Sequence, residues 1–130
     1  MSHLLATNAW KWLAGGGKLK PAAKFLAREE APLFVLDLSF WEICKAVEHG
    51  TLVLEMPPLA WIQTALTKNV TVLTVTPEIA DQSCRLAAQG LKTEDPADQL
   101  IVAAALIHRL TLVTHDHLIS QWGGVPVLNY

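Results

Sequence analysis

Apolar and polar positions along this chain alternate between two periods. Short apolar or β-branched runs recur at Leu4-Leu5, Leu33 to Leu38, Val70 to Val75 and Thr111 to Thr114, with a further short run at Val125 to Leu128. Such runs predict strands. Between them lie stretches with helical spacing: Asn8 to Ala14, a stretch opened by Pro21 with Phe25 and Leu26 on its inner face, Ser39 to His49, Pro57 to Thr67, Pro77 to Gln89, and Pro96 to Arg109. Pro21, Pro77 and Pro96 sit where a helix tolerates a missing N–H, and Gly50 and Gly90 follow predicted helix ends. Strands alternating with helices require crossover connections. The chain is therefore expected to be α/β, with a mostly parallel sheet of four to five strands flanked by helices, in a single domain over 1–130. Ligands of such sheets bind outside the carboxyl ends of the strands, so the residues following each strand are the ones to examine.

Composition narrows this reading. Hydrophobic residues make up 52% of the 130 and charged residues 17%, enough apolar material for a packed core and against disorder. No apolar run approaches the ~18 residues of a membrane helix. Trp10, Lys11 and Trp12 interrupt the N-terminal apolar stretch, so it does not read as a leader, and the expected location is the cytoplasm. Cys44 and Cys84 lack metal-ligand spacing and read as two buried thiols. Gly15-Gly16-Gly17 reads as a helix end and loop, since the lysine and hydroxyl partners of a phosphate loop are missing. The net charge of −2 does not mark a general nucleic-acid binder, but its distribution is uneven. Residues 1–28 carry Lys11, Lys18, Lys20, Lys24 and Arg28 and no acid, whereas the rest carries five basic and twelve acidic residues. This fits either a polyanion approaching one side or the solvated faces of helices.

Three acids follow strands or open helices. Asp116 comes two residues after the fourth predicted strand, where it faces the crevice or caps a turn. Glu42 comes three residues after Ser39, a spacing that fits a capping box. Asp98 lies in the first turn of the Pro96 helix, behind Asp95 as the cap, where the helix dipole favours an acid. Each has an adequate structural role alone. Together they lie at element starts that a parallel sheet brings to one edge. Converging carboxylates without His or Cys partners suit a hard divalent cation, and such a cation suits phosphodiester chemistry.

Four segments resemble PIN domains in order and spacing, with the VapC-type toxins the most similar group. They are Leu4-Leu5-Ala6-Thr7-Asn8, Ser39-Phe40-Trp41-Glu42-Ile43, Asp95-Pro96-Ala97-Asp98-Gln99-Leu100-Ile101-Val102-Ala103 and Leu112-Val113-Thr114-His115-Asp116. Gly50-Thr51-Leu52 and Gly124-Val125-Pro126-Val127-Leu128 add to the likeness, which spans nearly the whole chain. The resemblance implies a PIN-like three-layer sandwich and an endoribonuclease dependent on Mg²⁺ or Mn²⁺. It implies an RNA substrate, a homodimer, and a cognate antitoxin whose segment occupies the active-site groove. The family's acid positions fall on position 6, Glu42, Asp98 and Asp116, with Asn8 and Thr114 as supporting polar positions. Lys11, Lys18 and Lys20 are candidates for guiding the RNA backbone.

The departure is Ala6, where the family pattern has aspartate. It reads either as an introduced inactivating change or as natural degeneracy, and in both cases activity is expected to be lost or weakened. Asp37 lies in a predicted strand and is a poor substitute. His3, His115 and His117 flank the site region and are expected to be solvated or hydrogen-bonded rather than metal-bound. The alternative from another class is a catalytically dead PIN-like module that binds a protein partner. Trp10 and Trp12 lie on opposite sides of one helix, so one is available to an interface, whereas Trp41 and Trp61 are expected in core gaps. A dehalogenase-type phosphatase and a response-regulator receiver fit worse, since Ala6-Thr7-Asn8 and Thr74-Val75-Thr76 lack their aspartates.

Overall fold

The computed structural model describes residues 2–130. Five strands form one sheet: β1 (His3–Leu5), β2 (Leu33–Leu36), β3 (Val70–Leu73), β4 (Thr111–Val113) and β5 (Val127–Leu128). Their order is β3-β2-β1-β4-β5 and every pairing is parallel. The helices are α1 (Thr7–Ala14), α2 (Leu38–Glu48), α3 (Pro58–Ala65), α4 (Pro77–Ser83), α5 (Pro96–His108) and α6 (His117–Trp122), with a 3₁₀ helix over Pro21–Ala27.

Alternation along the strands sorts side chains to the two faces of the sheet. Leu4, Leu36 and Leu112 belong to one core cluster with Ile79 of α4, Ile101 and Val102 of α5, and Ile119 of α6. Leu5, Val35 and Val113 belong to the other, with Trp10 of α1, Leu26 of the 3₁₀ helix, Ile43 of α2 and Ile62 of α3. Helices thus cover both faces, giving the expected three layers. Among the described residues no helix is long and apolar enough to cross a membrane.

Several expected boundaries move. The Pro21 segment is 3₁₀ rather than α. The helix from Pro77 stops at Ser83, and turns carry the chain to Gly90, whose φ of 101° suits the absence of a Cβ. β2 ends at Leu36 because the Asp37 backbone turns helical, and Asp37 becomes the residue preceding α2. α6 follows Asp116 where the sequence pattern predicts only a turn or crevice residue, and Asp116 is its cap.

Two packing expectations fail. Cys44 and Cys84 are both exposed free thiols, one on the outer side of α2 and one at the end of α4. Trp41 is 57% exposed, because the inner side of α2 is already taken by Ser39 and Ile43. Trp61 does pack against the core beside Trp10, whereas Trp12 stays exposed.

Candidate active site at the carboxyl edge of the sheet

β1 has β2 on one side and β4 on the other, so the chain leaves the centre of the sheet in opposite directions. The crevice beyond β1 and β4 is the switch point where α/β proteins place ligands. Ala6 directly follows β1, and its N–H donates to the carbonyl of Val113 at 3.1 Å, which fixes position 6 beside the end of β4. A cavity of about 410 Å³ opens here, lined by Ala6, Thr7, Asn8, Lys11, Glu42, Ala46, Asp95, Asp98, Thr114, His115, Asp116 and Tyr130. All four positions expected to carry the acid set therefore reach one cavity, with both supporting positions, Asn8 and Thr114. Of the three candidate guiding lysines only Lys11 lines it; Lys18 and Lys20 lie on the exposed segment between α1 and the 3₁₀ helix.

A second cavity is larger, about 920 Å³, and lies between α1, the 3₁₀ helix, α3 and the 53–56 segment. Its lining is mainly apolar, and it holds none of the four acid-set positions. Chemistry therefore follows the smaller cavity.

Each acid is held by a local device. Asp116 caps α6, its Oδ1 accepting the Ile119 N–H at 2.9 Å, while its own N–H donates to Thr114 Oγ1 at 3.0 Å. Asp95 caps α5 by accepting the Ala97 N–H at 2.9 Å, and this sets Asp98 in the first helical turn. Asp98 is thereby confined among like charges. Burial, then Asp95, Asp116 and Glu42, push its carboxyl up to about 7, against a hydrogen bond with Thr93 that acts the other way.

Glu42 does not close the expected capping box. The α2 terminus makes no side-chain cap bond. Thr7 Oγ1 instead donates to Glu42 Oε1 and lies 2.7 Å from Ser39 Oγ, so both residues of the would-be box turn toward α1. Burial raises the Glu42 carboxyl, the Thr7 hydrogen bond opposes that, and Asp95 and Lys11 act in opposite senses at longer range. Thr7 and Asp95 were missed as site residues. Thr7 stands between positions 6 and 8 of the first motif, a position that could have flagged it.

His115 stacks on Tyr130, with ring centroids 3.6 Å apart and planes 7° apart, and its Nε2 lies 2.7 Å from the Tyr130 carbonyl. That is the hydrogen-bonding role expected of it. His3 sits at the other end of β1, against Phe25, and so does not flank the site. Asp37 is likewise outside the cavity, accepting the Val75 N–H at 3.3 Å.

By donor type the cavity suits a hard cation bound through oxygen. By completeness it falls short. Among the described residues no three His, Cys, Asp or Glu side chains form a group able to hold a metal ion. Position 6 presents a methyl group where the family pattern has a carboxylate.

A PIN domain model matches residues 4–124. Ribonuclease VapC22 of Mycobacterium tuberculosis is 32% identical over 108 residues, covering 83% of this chain and 81% of that protein. Among solved structures, VapBC2 from Rickettsia felis, bound to a promoter DNA fragment, superposes with a TM-score of 0.74 at 15% identity, covering 100% of this chain and 99% of that one. Mycobacterium tuberculosis VapC20, described as a sarcin–ricin loop cleaving toxin, gives 0.65 at 18% identity, covering 93% and 95%.

Proposed function

This chain belongs to the PIN domain family, and on that premise we propose that it is the ribonuclease toxin of a VapC-type toxin–antitoxin pair, with an active site one carboxylate short. The observation that carries the proposal is the joint placement of Ala6, Glu42, Asp98 and Asp116 around one cavity at the switch point. Helix caps alone do not require that convergence. The raised Asp98 carboxyl agrees: burial first, then the neighbouring Asp95, Asp116 and Glu42 push it up, as acids gathered in one half-buried cavity do.

In an Ala6→Asp form the new carboxylate would join Asp98 and Asp116, with Glu42 beside them, to hold Mg²⁺ or Mn²⁺. Such a cation supplies an activated water and charge neutralisation on a phosphoryl group. The chain's own residues set the stage. Thr7 and Ser39 orient Glu42; Thr114 and the α6 terminus orient Asp116; Asp95 and Thr93 orient Asp98. Lys11 is the cation on the cavity wall available to an RNA phosphate, and Lys18 and Lys20 add steering from outside. The cell compartment that fits an RNA substrate is the cytoplasm.

The partner expected is a cognate antitoxin. Support comes from the mainly apolar 920 Å³ cavity, at which Val53 is 91% exposed. A homodimer belongs to the same proposal and is checked by solution mass.

The test is cleavage of a mixed RNA pool with Mg²⁺ or Mn²⁺, comparing this chain, its Ala6→Asp variant and an EDTA control. Cutting by Ala6→Asp alone, stopped by EDTA, is the expected result. No cutting by either protein would instead favour the second reading, a catalytically dead module that binds a protein partner. Ala6 is what favours that reading.

A further inference from the structure

Trp12 is 47% exposed, yet it is not free to move. Its Nε1–H donates to the Lys18 carbonyl at 3.0 Å. Its ring lies against Gly17: a Cβ there would fall 2.3–2.5 Å from the ring atoms Cε2, Nε1 and Cδ2. The glycine run therefore has a use, since any side chain at 17 would displace the indole. The ring centroid is 6.4 Å from that of Tyr130, with planes tilted by 48°. Tyr130 in turn stacks on His115, and both of these line the acidic cavity. Three aromatic rings thus step from the protein surface to the cavity wall.

The segment that carries Trp12 is basic in sequence. Lys11 precedes it and lines the cavity, Lys18 supplies the carbonyl that pins it, and Lys20 follows, in a segment of 28 residues with no acid. An exposed ring anchoring a protein partner is expected among apolar neighbours. The exposed Val53 and Met56 lie instead at the 920 Å³ cavity, which Trp12 does not line. A fixed half-exposed indole in a basic segment, next to a cavity lined by Lys11, is suited to a nucleobase, because every base offers a π-face and every nucleotide a phosphate. Pinning the ring in advance leaves little rotamer freedom to lose on binding.

We infer that Trp12 is a stacking platform for one base of a single-stranded RNA whose backbone passes Lys11 toward the acidic cavity. The inference rests on the ribonuclease reading and adds to it how substrate is held. It assigns Trp12 a binding role, not a chemical one.

The test is binding of a fluorescently labelled single-stranded RNA pool, about ten nucleotides long, followed by anisotropy at low salt in EDTA. Cleavage plays no part in that readout. Trp12→Ala should weaken binding about tenfold and Trp12→Phe by less than about threefold, since stacking tolerates any aromatic ring. Gly17→Ala, which leaves the indole in place chemically but unseats it, should behave like Trp12→Ala. Binding of an RNA duplex, whose bases are already stacked, should be unchanged in all three variants. Circular dichroism and thermal melting confirm that each variant is folded. Equal affinity of the parent, Trp12→Ala and Gly17→Ala for the single strand would overturn the inference. An equal loss for the duplex would also overturn it, by showing charge or folding effects instead of stacking. A parent chain without RNA affinity would overturn it too. Whether the nuclease reading also fails is then decided separately by cleavage with Ala6→Asp.

Discussion

Thr7 donates its hydroxyl to Glu42, 35 residues away in the sequence, and so ties the first turn of α1 to α2 across the mouth of the cavity. Thr7→Val keeps the shape and removes the donor. Glu42 would then lose the contact that opposes the burial of its charge. The expected cost is about 1.5–3 kcal/mol at pH 8, the range for a hydrogen bond to a charged group. Acidification should narrow the gap between variant and parent, because a protonated Glu42 needs no donor to hold its charge. Urea unfolding at both pH values measures this; an unchanged midpoint at pH 8 would count against the bond.

Position 6 is the residue that caps α1, and alanine there makes no side-chain cap bond. Ala6→Asp therefore has two effects of opposite sign. Aspartate is a good cap, and replacing a cap by alanine typically costs about 0.5–2 kcal/mol. A new carboxylate among Asp98, Asp116 and Glu42 adds repulsion. In EDTA the two should largely cancel. With millimolar Mg²⁺ or Mn²⁺ the repulsion becomes attraction, and the variant should melt several degrees higher, whereas the parent should respond weakly. Melting scans with and without metal decide it. An equal metal response in both chains would show that Ala6 is not the missing ligand position.

Asp98 carries the clearest pH signature. Its folded carboxyl lies at about 7 against an ordinary 3.8, so the native state holds a proton there more readily than the unfolded chain. The contribution to stability is fully present below about pH 4, declines as pH rises, and is gone above about pH 7. Asp98→Asn removes the dependence. At pH 8 the variant should be the more stable protein by roughly 1–2 kcal/mol, a figure reduced from the full shift because the group is partly exposed. The two proteins should converge near pH 4. Greater stability of the parent at pH 8 would mean that its charge is already compensated.

The sheet and its flanking helices were legible because period-2 and period-3.6 patterns each mark one burial face, and the strand order then gathers the motif residues at one edge. Boundaries were less legible. The apolar spacing after Pro77 predicts a helix through Gln89, yet the turns after Ser83 leave the helical path while burying Leu86 all the same. The acid positions were legible through motif order, but what holds them was not. Ser39 and Glu42 match a capping box in one dimension, and only the approach of α1 supplies Thr7 as the better partner. Burial of Trp41 and of the two cysteines was misjudged because an apolar residue on a short helix gives no sign of which side is already occupied.

Trp10 is 1% exposed, meets Trp61 edge-on at 5.1 Å and Phe40 at 5.8 Å, and donates Nε1–H to the Ala65 carbonyl at 3.4 Å. It joins α1, α2 and α3 in a single contact set. Trp10→Ala opens a large void and leaves a carbonyl without its donor, so a loss of about 3–5 kcal/mol is expected. Trp41, on the outer side of α2, has no comparable contact to lose, and Trp41→Ala should stay within about 0.5 kcal/mol of the parent. Paired chemical unfolding curves read both effects at once. A large loss at Trp41 would mean that another chain covers that face in solution. Dilution would expose this, because the loss would shrink as the complex dissociates.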